Sequence, residues 1–275
     1  MNRVIENFLS SHPYADKTKE SYRRILAEIV NLPNLHTLDA AQLIQWINRP
    51  GWGNSQQSVA LHCIKKFFAW KYGALHPALT ARIKRIEPPP RRSLNPDQAL
   101  QVLACFDTYT AAGARDQAII AFGLDTGFRK TELCNILLPN VDFYNNTARA
   151  LCKGGQWGIG AFTAETAYIL QRWLNFRKPA DGVENLFVGI YDGQAISSDG
   201  MGCIFKRLSK RLGFKISAHD LRSSFATLAT LYGAPSRSLQ VAGRWRSPEM
   251  VEHYTGNLQI EAVRPFLAMA NLKKR

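Results

Sequence analysis

Residues 87–93 read EPPPRRS, and this stretch decides how the chain is divided. Three consecutive prolines cannot continue a helix and favour an extended, fairly stiff path. A helix-start signal follows at once, because Asn95 is a good N-cap, proline occupies the first helical position and Asp97 lies in the first turn. The sequence therefore predicts an N-terminal domain over residues 1–87, a linker over 88–94 and a second domain over 95–275.

The N-terminal side of this boundary has the periodicity of a small basic helical bundle. Apolar side chains recur at i, i+3, i+4 and i+7 spacing over residues 18–30, which predicts an amphipathic helix. A second such helix is predicted over residues 55–72, and a shorter one, capped by Asp39 or Thr37, over residues 39–47. The buried side of the second helix is predicted to consist of Val59, Cys63, Ile64, Phe67 and Phe68.

The second domain combines helices with a few short strands. After Pro139 the strings VDFY, TARALCK and QWGIGAF are separated by Asn-Asn and Gly-Gly turn signals, which predicts a small antiparallel sheet. Helices are predicted over residues 99–106, 115–124, 130–137, 164–177, 200–212, 221–232 and 236–242. The expected fold class is mainly α with a small antiparallel β-sheet, that is, α+β.

Composition favours a folded protein that binds a polyanion. The 275 residues are 46% hydrophobic, which is enough to build real cores, and the formal net charge is +14. The basic residues are spread along the chain, so they suit a broad surface with many separate phosphate contacts. Charge that serves solubility alone is the alternative interpretation.

The cysteines and the N-terminal sequence bear on where in the cell the protein is expected to be. The five cysteines are far apart and form no Cys-x-x-Cys pair, and most lie inside apolar runs, so they are interpreted mainly as small core residues in a reducing cytoplasm, with no structural zinc. The N-terminus lacks the apolar core of a signal peptide, and no apolar stretch approaches the ~20 residues of a membrane span. The sequence therefore predicts a soluble cytoplasmic protein with no membrane partner.

The motifs do not indicate phosphoryl transfer that depends on metal or ATP. Two-metal chemistry needs several acidic ligands, and the sequence has no Asp-x-Asp or Glu-x-x-His-like cluster. It also has no G-x-x-x-x-G-K-[ST] phosphate-binding loop. The second domain offers instead a set of cations, which can neutralise a phosphate without a metal or another cofactor.

Three basic strings supply these cations. In His219-Asp220-Leu221-Arg222, a turn meets a helix, and the i, i+3 spacing lets the imidazole and guanidinium converge on one anion. In TGFRKTEL, Arg129 follows a glycine break, and Glu132 can support it from the same helical face. Lys153 is predicted at a hairpin tip, from which it could bring a proton to a leaving oxygen. Each string alone is more often an ordinary surface feature.

Residues 243–254, GRWRSPEMVEHY, end in a tyrosine that alone would most often be a packed aromatic. Its spacing to the preceding tryptophan, nine residues, changes that interpretation. The ordered set resembles the tyrosine recombinase, or phage integrase, family, whose pattern is T-G-x-R-x-x-E-L, a hairpin lysine, H-x-L-R, a His or Trp, and a tyrosine nine residues later. The six matching positions are Arg129, Lys153, His219, Arg222, Trp245 and Tyr254.

The chain departs from the family pattern in two places. Arg244 stands between Gly243 and Trp245, where the family commonly has Gly directly before the His or Trp; either side chain is a candidate for the phosphate contact, and the spacing to Tyr254 favours Trp245. The hairpin string KGGQW also lacks the second basic residue that often follows the family's lysine. The resemblance still covers essentially the whole chain, as a core-binding domain followed by a catalytic domain with a C-terminal tail helix.

The resemblance implies a site-specific DNA recombinase. Tyr254 would attack the scissile phosphate in line, giving a 3′-phosphotyrosyl link and a free 5′-hydroxyl. Arg129 and Arg222 would hold the non-bridging oxygens and offset the charge of the transition state. Because the covalent link stores the energy of the broken bond, no ATP, metal or other cofactor is expected.

The remaining three positions would move protons and bind the phosphate. His219 would assist by hydrogen bonding and proton transfer, and Lys153 would protonate the 5′-oxygen. Trp245 would bond the phosphate through its indole N–H and pack the site.

The implied partner is double-stranded DNA with a specific target site, at the nucleoid. The resemblance implies a monomer in solution and a homotetramer on synapsed DNA. Candidates for phosphate contact are Lys17, Arg24, Lys66, Arg91 and Arg92. An apolar stripe near the C-terminus, formed by Ile260, Val263, Phe266 and Leu267, would dock on a neighbouring protomer or on its own catalytic domain.

Two other classes of protein are compatible with parts of this pattern. A type IB topoisomerase uses much the same residue set but relaxes DNA as a monomer. A non-catalytic DNA-binding protein would explain the charge, but it has no need for Tyr254 together with all of its cationic partners. The target sequence, and the choice among integration, excision and resolution, stay open at this level.

Overall fold

The computed structural model describes residues 3–84, 86, 92–152, 155–252, 254, 255 and 258. The chain divides into two compact units, Met1–Pro88 and Pro89–Arg275. Each has a hydrophobic core of its own, and they are treated in turn as the N-terminal unit and the C-terminal unit.

In the described part of the N-terminal unit, four α-helices pack around one core. They are α1 (Arg3–Ser10), α2 (Asp16–Ile29), α3 (Ala40–Ile47) and α4 (Asn54–Tyr72), with 3₁₀ turns at Leu35–Thr37 and Pro77–Thr80. Helix α3 begins with a capping box, in which the Asp39 carboxylate accepts from the Gln42 N–H at 2.8 Å and the Gln42 side chain accepts from the Asp39 N–H at 3.0 Å. Of the two candidate caps, Asp39 is therefore the one used.

The core of this unit lies along α4, where Phe67 and Phe68 are fully buried and Phe67 meets the ring of Phe8 edge-on at 5.4 Å. The prediction that Val59 belongs to this buried side is wrong, because Val59 is 44% exposed and Ala60 is buried in its place. At 100° per residue, Val59 lies about 110° from the centre of the buried face, whereas Ala60 lies close to that centre.

The C-terminal unit has the predicted mixture of helices and a small sheet. Its helices are α5 (Pro96–Ala104), α6 (Ala111–Thr126), α7 (Lys130–Asn135), α8 (Ala164–Phe176), α9 (Ser198–Leu212), α10 (Ala218–Leu231) and α11 (Ser236–Ala242). Strands β1 (Val141–Asp142), β2 (Thr147–Leu151) and β3 (Trp157–Ala161) form an antiparallel sheet in the order β1-β2-β3. The mainly α fold with a small antiparallel sheet is confirmed. Of the helices in the described part of the chain, none has the length and apolar character needed to cross a membrane.

Helix α6 is the centre of this unit and positions the site. It packs against α8 and α10, and Ile119, Ile120 and Phe122 are fully buried on it. The helix ends at Gly127, whose φ of +58° is left-handed, and a Cβ there would lie 2.6 Å from the ring of Phe225 on α10. Only glycine fits this close turn without strain, and the turn leads directly to Arg129 at the start of α7.

Candidate active site

Three segments of the C-terminal unit bring the predicted residues together. Arg129 lies at the start of α7, and His219 and Arg222 lie in the first turns of α10. Trp245 follows α11, and helical backbone resumes at residue 249 and includes Tyr254. The hairpin lysine, Lys153, lies outside the described residues, so its role stays a prediction.

Arg129 is held by Glu132, as the TGFRKTEL string predicts. The guanidinium Nη1 donates to Glu132 Oε1 at 2.8 Å, and the Arg129 backbone N–H donates to the other carboxylate oxygen at 2.9 Å. Glu132 is 2% exposed, whereas 37% of the Arg129 side chain remains accessible. The buried carboxylate therefore orients the Arg129 guanidinium and leaves part of the arginine side chain accessible to a ligand.

The charge of Glu132 is favoured by its surroundings. Burial raises the pKa of this carboxyl, but hydrogen bonds from the backbone and side chain of Arg129 and the charges of Arg129 and Arg244 outweigh that effect. The pKa of Glu132 is therefore lowered, and the group is an anion at neutral pH.

Arg222 is the most deeply buried cation of the site, at 1% exposure. Its Nη1 donates to the carbonyl of Gly127 at 2.5 Å, and its Nη2 donates to the carbonyl of Gly243. The guanidinium also lies 4.6 Å from the ring centroid of Trp245. Burial lowers the pKa of Arg222 to about 10, with a further contribution from the neighbouring positive charges, so the side chain still carries its charge at neutral pH.

Tyr254 is packed among aromatic residues and is 8% exposed. Its ring centroid lies 5.2 Å from that of Trp245 and 6.1 Å from that of His219. Thr227 on α10 donates its hydroxyl to the Tyr254 carbonyl at 3.2 Å. The nine-residue spacing between Trp245 and Tyr254 thus places their rings side by side, and His219 lies next to Tyr254.

The indole of Trp245 carries an unused donor. The residue is 6% exposed, and its Nε1–H is buried with no hydrogen-bond partner among the described residues. The ring stacks near Phe225, with centroids 6.2 Å apart, and occupies the space that a Cβ on Gly243 would need. Such a buried donor is costly to leave unpaired, so a ligand oxygen that reached it would be bound favourably.

A cleft of about 540 Å³ opens beside these groups. It is lined by Arg129, Cys152, Gln156, Trp157, Gly158, Arg244, Trp245, Arg246 and Met250. Three of these lining residues are arginines and, within the described part of the chain, none of them is acidic. A cleft with this lining attracts an anion.

The sequence marks Arg244 only as a possible phosphate contact. In the structure its side chain is 11% exposed, and the guanidinium donates to backbone carbonyls. The sequence signal was the extra residue between Gly243 and Trp245, but the partners of the side chain could not be inferred from it.

Comparison with protein families adds an independent finding. The model of the phage integrase family matches residues 92–259, which is more than half of the chain and spans every position of the candidate site. The chain belongs to the phage integrase family. It is a tyrosine recombinase, an enzyme of site-specific DNA recombination that cleaves and rejoins strands.

Individual relatives agree with this assignment along most of the chain. The tyrosine recombinase XerD of Xanthomonas axonopodis pv. citri (strain 306) is 27% identical over 283 residues, which cover 93% of this chain and 92% of the relative. The tyrosine recombinase XerA of Saccharolobus solfataricus is 30% identical over 179 residues, covering 64% of this chain and 55% of the relative. The similarity to XerD therefore includes the N-terminal unit.

Solved structures share the fold of this recombinase. The Tn1549 transposon integrase in complex with circular intermediate DNA has a TM-score of 0.75 at 18% identity, covering 95% of this chain and 99% of that one. A lambda integrase dimer bound to a COC′ core site has a TM-score of 0.73 at 17% identity, covering 90% of this chain and 92% of that one. At these identities the similarity shows the fold.

Proposed function

We propose that Tyr254 is the nucleophile of this recombinase and forms a 3′-phosphotyrosyl link with the cleaved strand. The observation that carries the proposal is the placement of the Tyr254 ring beside Trp245 and His219, in the cluster that also holds Arg222. The hydroxyl of Tyr254 would attack the scissile phosphorus, and the 5′-oxygen would leave as a hydroxyl once it is protonated. Attack by that hydroxyl, or by one from a partner strand, would reverse the step.

The two arginines that match the family pattern, Arg129 and Arg222, would both bind the phosphate. Arg129 has its direction set by Glu132 and a third of its side chain accessible, so it is suited to bind a non-bridging oxygen. Arg222 uses one N–H on each terminal nitrogen for the carbonyls of Gly127 and Gly243, which leaves further N–H groups on a fixed guanidinium. A rigid pair of cations stabilises the charge of the pentacovalent transition state more than that of the ground state.

Trp245, rather than Arg244, is the proposed phosphate ligand of the last segment. The indole N–H is the sole polar group of Trp245 and is buried without a partner among the described residues, whereas Arg244 donates from both terminal nitrogens to three backbone carbonyls and keeps only its buried Nε without a partner there. His219 would exchange protons with the reacting oxygens from beside Tyr254. Lys153 is proposed as the acid for the 5′-oxygen on the sequence pattern alone.

The proposed partner is a specific double-stranded DNA site, bound by both units. In the N-terminal unit, proposed as the core-binding domain, Lys17, Arg24 and Lys66 are exposed and can reach phosphates. Arg92 is half exposed, and its Nε lies 3.6 Å from Asp220, next to His219, so it is the candidate nearest the site. Arg91 and the C-terminal stripe of residues 260–267 lie outside the described residues. A monomer that assembles into a tetramer on DNA, at the nucleoid in the cytoplasm, completes the proposal.

The test is covalent capture on a pool of nicked duplexes with a randomised core, since a nick beside the cleavage position traps the adduct. The wild-type protein is expected to give a denaturant-resistant protein–DNA adduct, and sequencing of the trapped strands gives the target site. Tyr254→Phe is expected to abolish the adduct while leaving DNA binding nearly unchanged, because the ring that packs on Trp245 is retained.

The matched control is Tyr232→Phe, which removes the hydroxyl of an exposed tyrosine on the same unit and is expected to leave the adduct intact. An adduct formed by Tyr254→Phe would show that another residue is the nucleophile. Relaxation of supercoiled plasmid without any site preference would instead indicate topoisomerase-like activity.

A further inference from the structure

Arg244 is a buried arginine on a strained backbone. It follows Gly243 directly, its φ is +55°, and only 11% of its side chain is exposed. Non-glycine residues rarely adopt the left-handed region, and such strain persists only where the surrounding contacts impose it. The contacts of the Arg244 side chain must therefore hold its backbone in this conformation.

The guanidinium of Arg244 joins three separate elements. Its Nη1 donates to the carbonyl of Ile159 on β3 at 3.1 Å and to that of Ala242 at the end of α11 at 2.7 Å. Its Nη2 donates to the carbonyl of Thr126 at the end of α6 at 3.1 Å. The carbonyls at the C-terminal ends of helices lack intrahelical partners and carry partial negative charge, so they are good acceptors for a cation.

The packing around this side chain is close on two sides. The guanidinium lies 4.4 Å from the ring centroid of Phe128, which is fully buried. On the other side, Gly158 of β3 leaves room for the side chain, since a Cβ there would overlap Arg244 Cδ and lie 2.6 Å from Cys152 Sγ. Strand β3 thus carries glycine at the position where the arginine passes.

Arg244 also reaches the carboxylate that orients Arg129. Its Nη2 lies 3.8 Å from Glu132 Oε2, while Glu132 Oε1 accepts from Arg129. The buried carboxylate therefore lies between two guanidinium groups, one that is partly exposed and one that is fixed to the backbone.

We propose that Arg244 is a positioning residue for strand cleavage. It fixes the turn that presents Trp245, the strand β3 and the end of α6 around Glu132, so that Arg129 and Trp245 meet the scissile phosphate in the correct geometry. Its terminal nitrogens are committed to backbone carbonyls and lie near Glu132, and only its buried Nε has no partner among the described residues, so its main role is to hold the protein rather than the phosphate. The inference rests on the proposed roles of Arg129, Trp245 and Tyr254.

The test measures single-turnover adduct formation at saturating DNA, DNA affinity at several salt concentrations, and thermal stability. Arg244→Lys keeps the charge and the aliphatic stem, and Arg244→Met keeps only the stem. The matched control is Arg177→Lys, because Arg177 is also partly buried and donates to the carbonyls of Val183 and Asn185, away from the site. The substrate is the duplex captured by the wild-type protein.

Substitution of either Arg244 or Arg177 is expected to lower the melting temperature, because each arginine donates to backbone carbonyls. Only the Arg244 variants are expected to slow cleavage by bound enzyme, by about 10- to 100-fold, as a misplacement of about 1 Å would. Affinity and its salt dependence are expected to change little. A folded Arg244→Lys variant that cleaves at the wild-type rate would overturn the proposal, and so would a loss of about one unit in the salt slope, which indicates a direct phosphate contact.

A second measurement tests the route through Glu132. If Arg244 acts partly through this carboxylate, the double variant Arg244→Lys, Glu132→Gln is expected to be less impaired than the product of the two single effects. Fully multiplicative effects on the cleavage rate would contradict that route. A wild-type protein that forms no adduct at Tyr254 would contradict the proposed function instead. Covalent capture with the wild-type protein alone detects this outcome, so the two failures can be distinguished.

Discussion

Removal of the negative charge from Glu132 is the perturbation whose result the structure constrains best. Glu132→Gln keeps the size of the side chain but replaces one carboxylate oxygen with an NH2 group. The wild-type carboxylate accepts from the Arg129 N–H and from the Arg129 guanidinium, and lies 3.8 Å from Arg244. In the variant a donor must face another donor, and the buried Arg244 loses the only full negative charge that contacts it among the described residues.

The expected cost follows from the burial of the pair. Breaking a buried ion pair by removing one partner destabilises a protein by about 3–5 kcal/mol, because a charge is left uncompensated. Arg129 is partly solvated, which favours the lower end, about 3 kcal/mol. For a unit of this size, a change of about 1 kcal/mol shifts the melting temperature by roughly 2–4 °C, so a decrease of roughly 6–12 °C is expected.

The stabilisation by Glu132 has a defined pH dependence. Its folded-state pKa is lowered, so its contribution is complete above the pKa of the unfolded chain and is lost as the pH falls through the folded pKa. The difference in stability between wild type and Glu132→Gln should therefore be constant from neutral pH down to about pH 5 and shrink below it. The melting temperature of Glu132→Gln is therefore expected to fall less steeply with decreasing pH, below about pH 5, than that of the wild type.

The measurement is calorimetric melting of the full chain across this pH range. Glu184→Gln is the control, because Glu184 is an exposed carboxylate of the same unit and its loss should shift the melting temperature little. A Glu132→Gln protein that melts within about 2 °C of wild type at neutral pH would refute the reasoning. An acid limb as steep as that of the wild type would do the same for the pH argument.

Three further predictions concern the packing of the site. Gly243→Ala places a methyl group in the space of the Trp245 ring, so cleavage by bound enzyme should slow by about 100-fold with little change in DNA affinity, measured by single turnover. Trp245→Phe keeps an aromatic ring against Tyr254 and removes the unpaired N–H, so adduct formation in single turnover should slow while DNA affinity changes little. Ser224→Ala removes the hydroxyl that accepts from the buried Leu94 N–H at 2.8 Å, and urea unfolding should show a loss of about 1–3 kcal/mol.

The sequence could predict those parts of the site that depend on local geometry. The contact between Arg129 and Glu132 follows from their i, i+3 spacing at a helix start, where Arg129 is the N-cap of α7 and Glu132 accepts from its backbone N–H and its guanidinium. The helix boundaries are predicted within a few residues because Asn95, Gly127 and Pro139 carry strong local signals. The prediction for Val59 fails because Val59 has the i, i+4 spacing to Cys63 but lies five residues before Ile64, whereas Ala60 has a helical spacing to both and is buried.

The role of Arg244 could not be predicted, because its partners are distant in sequence. The carbonyls of Ile159 and Thr126 lie 85 and 118 residues away along the chain, and that of Gly127, which binds Arg222, lies 95 residues away. Backbone carbonyls also carry no residue-type signal, so no motif marks them. From the sequence, a buried arginine that binds carbonyls and an exposed arginine that binds phosphate have the same appearance.

The binding of arginines to backbone carbonyls explains how the site can hold so much positive charge before its substrate arrives. Only one buried carboxylate, Glu132, contacts this group of cations in the described part of the chain; it pairs with Arg129 and Arg244, and the charges of these two arginines contribute to the lowered pKa of Arg222. Carbonyl oxygens offset part of the repulsion by solvating Arg222 and Arg244, but they add no net negative charge. The excess positive charge is a cost to the free protein that a phosphate in the cleft would relieve. Stability given up at the site is thus recovered as affinity for the group that reacts there, which is how preorganised electrostatic sites operate.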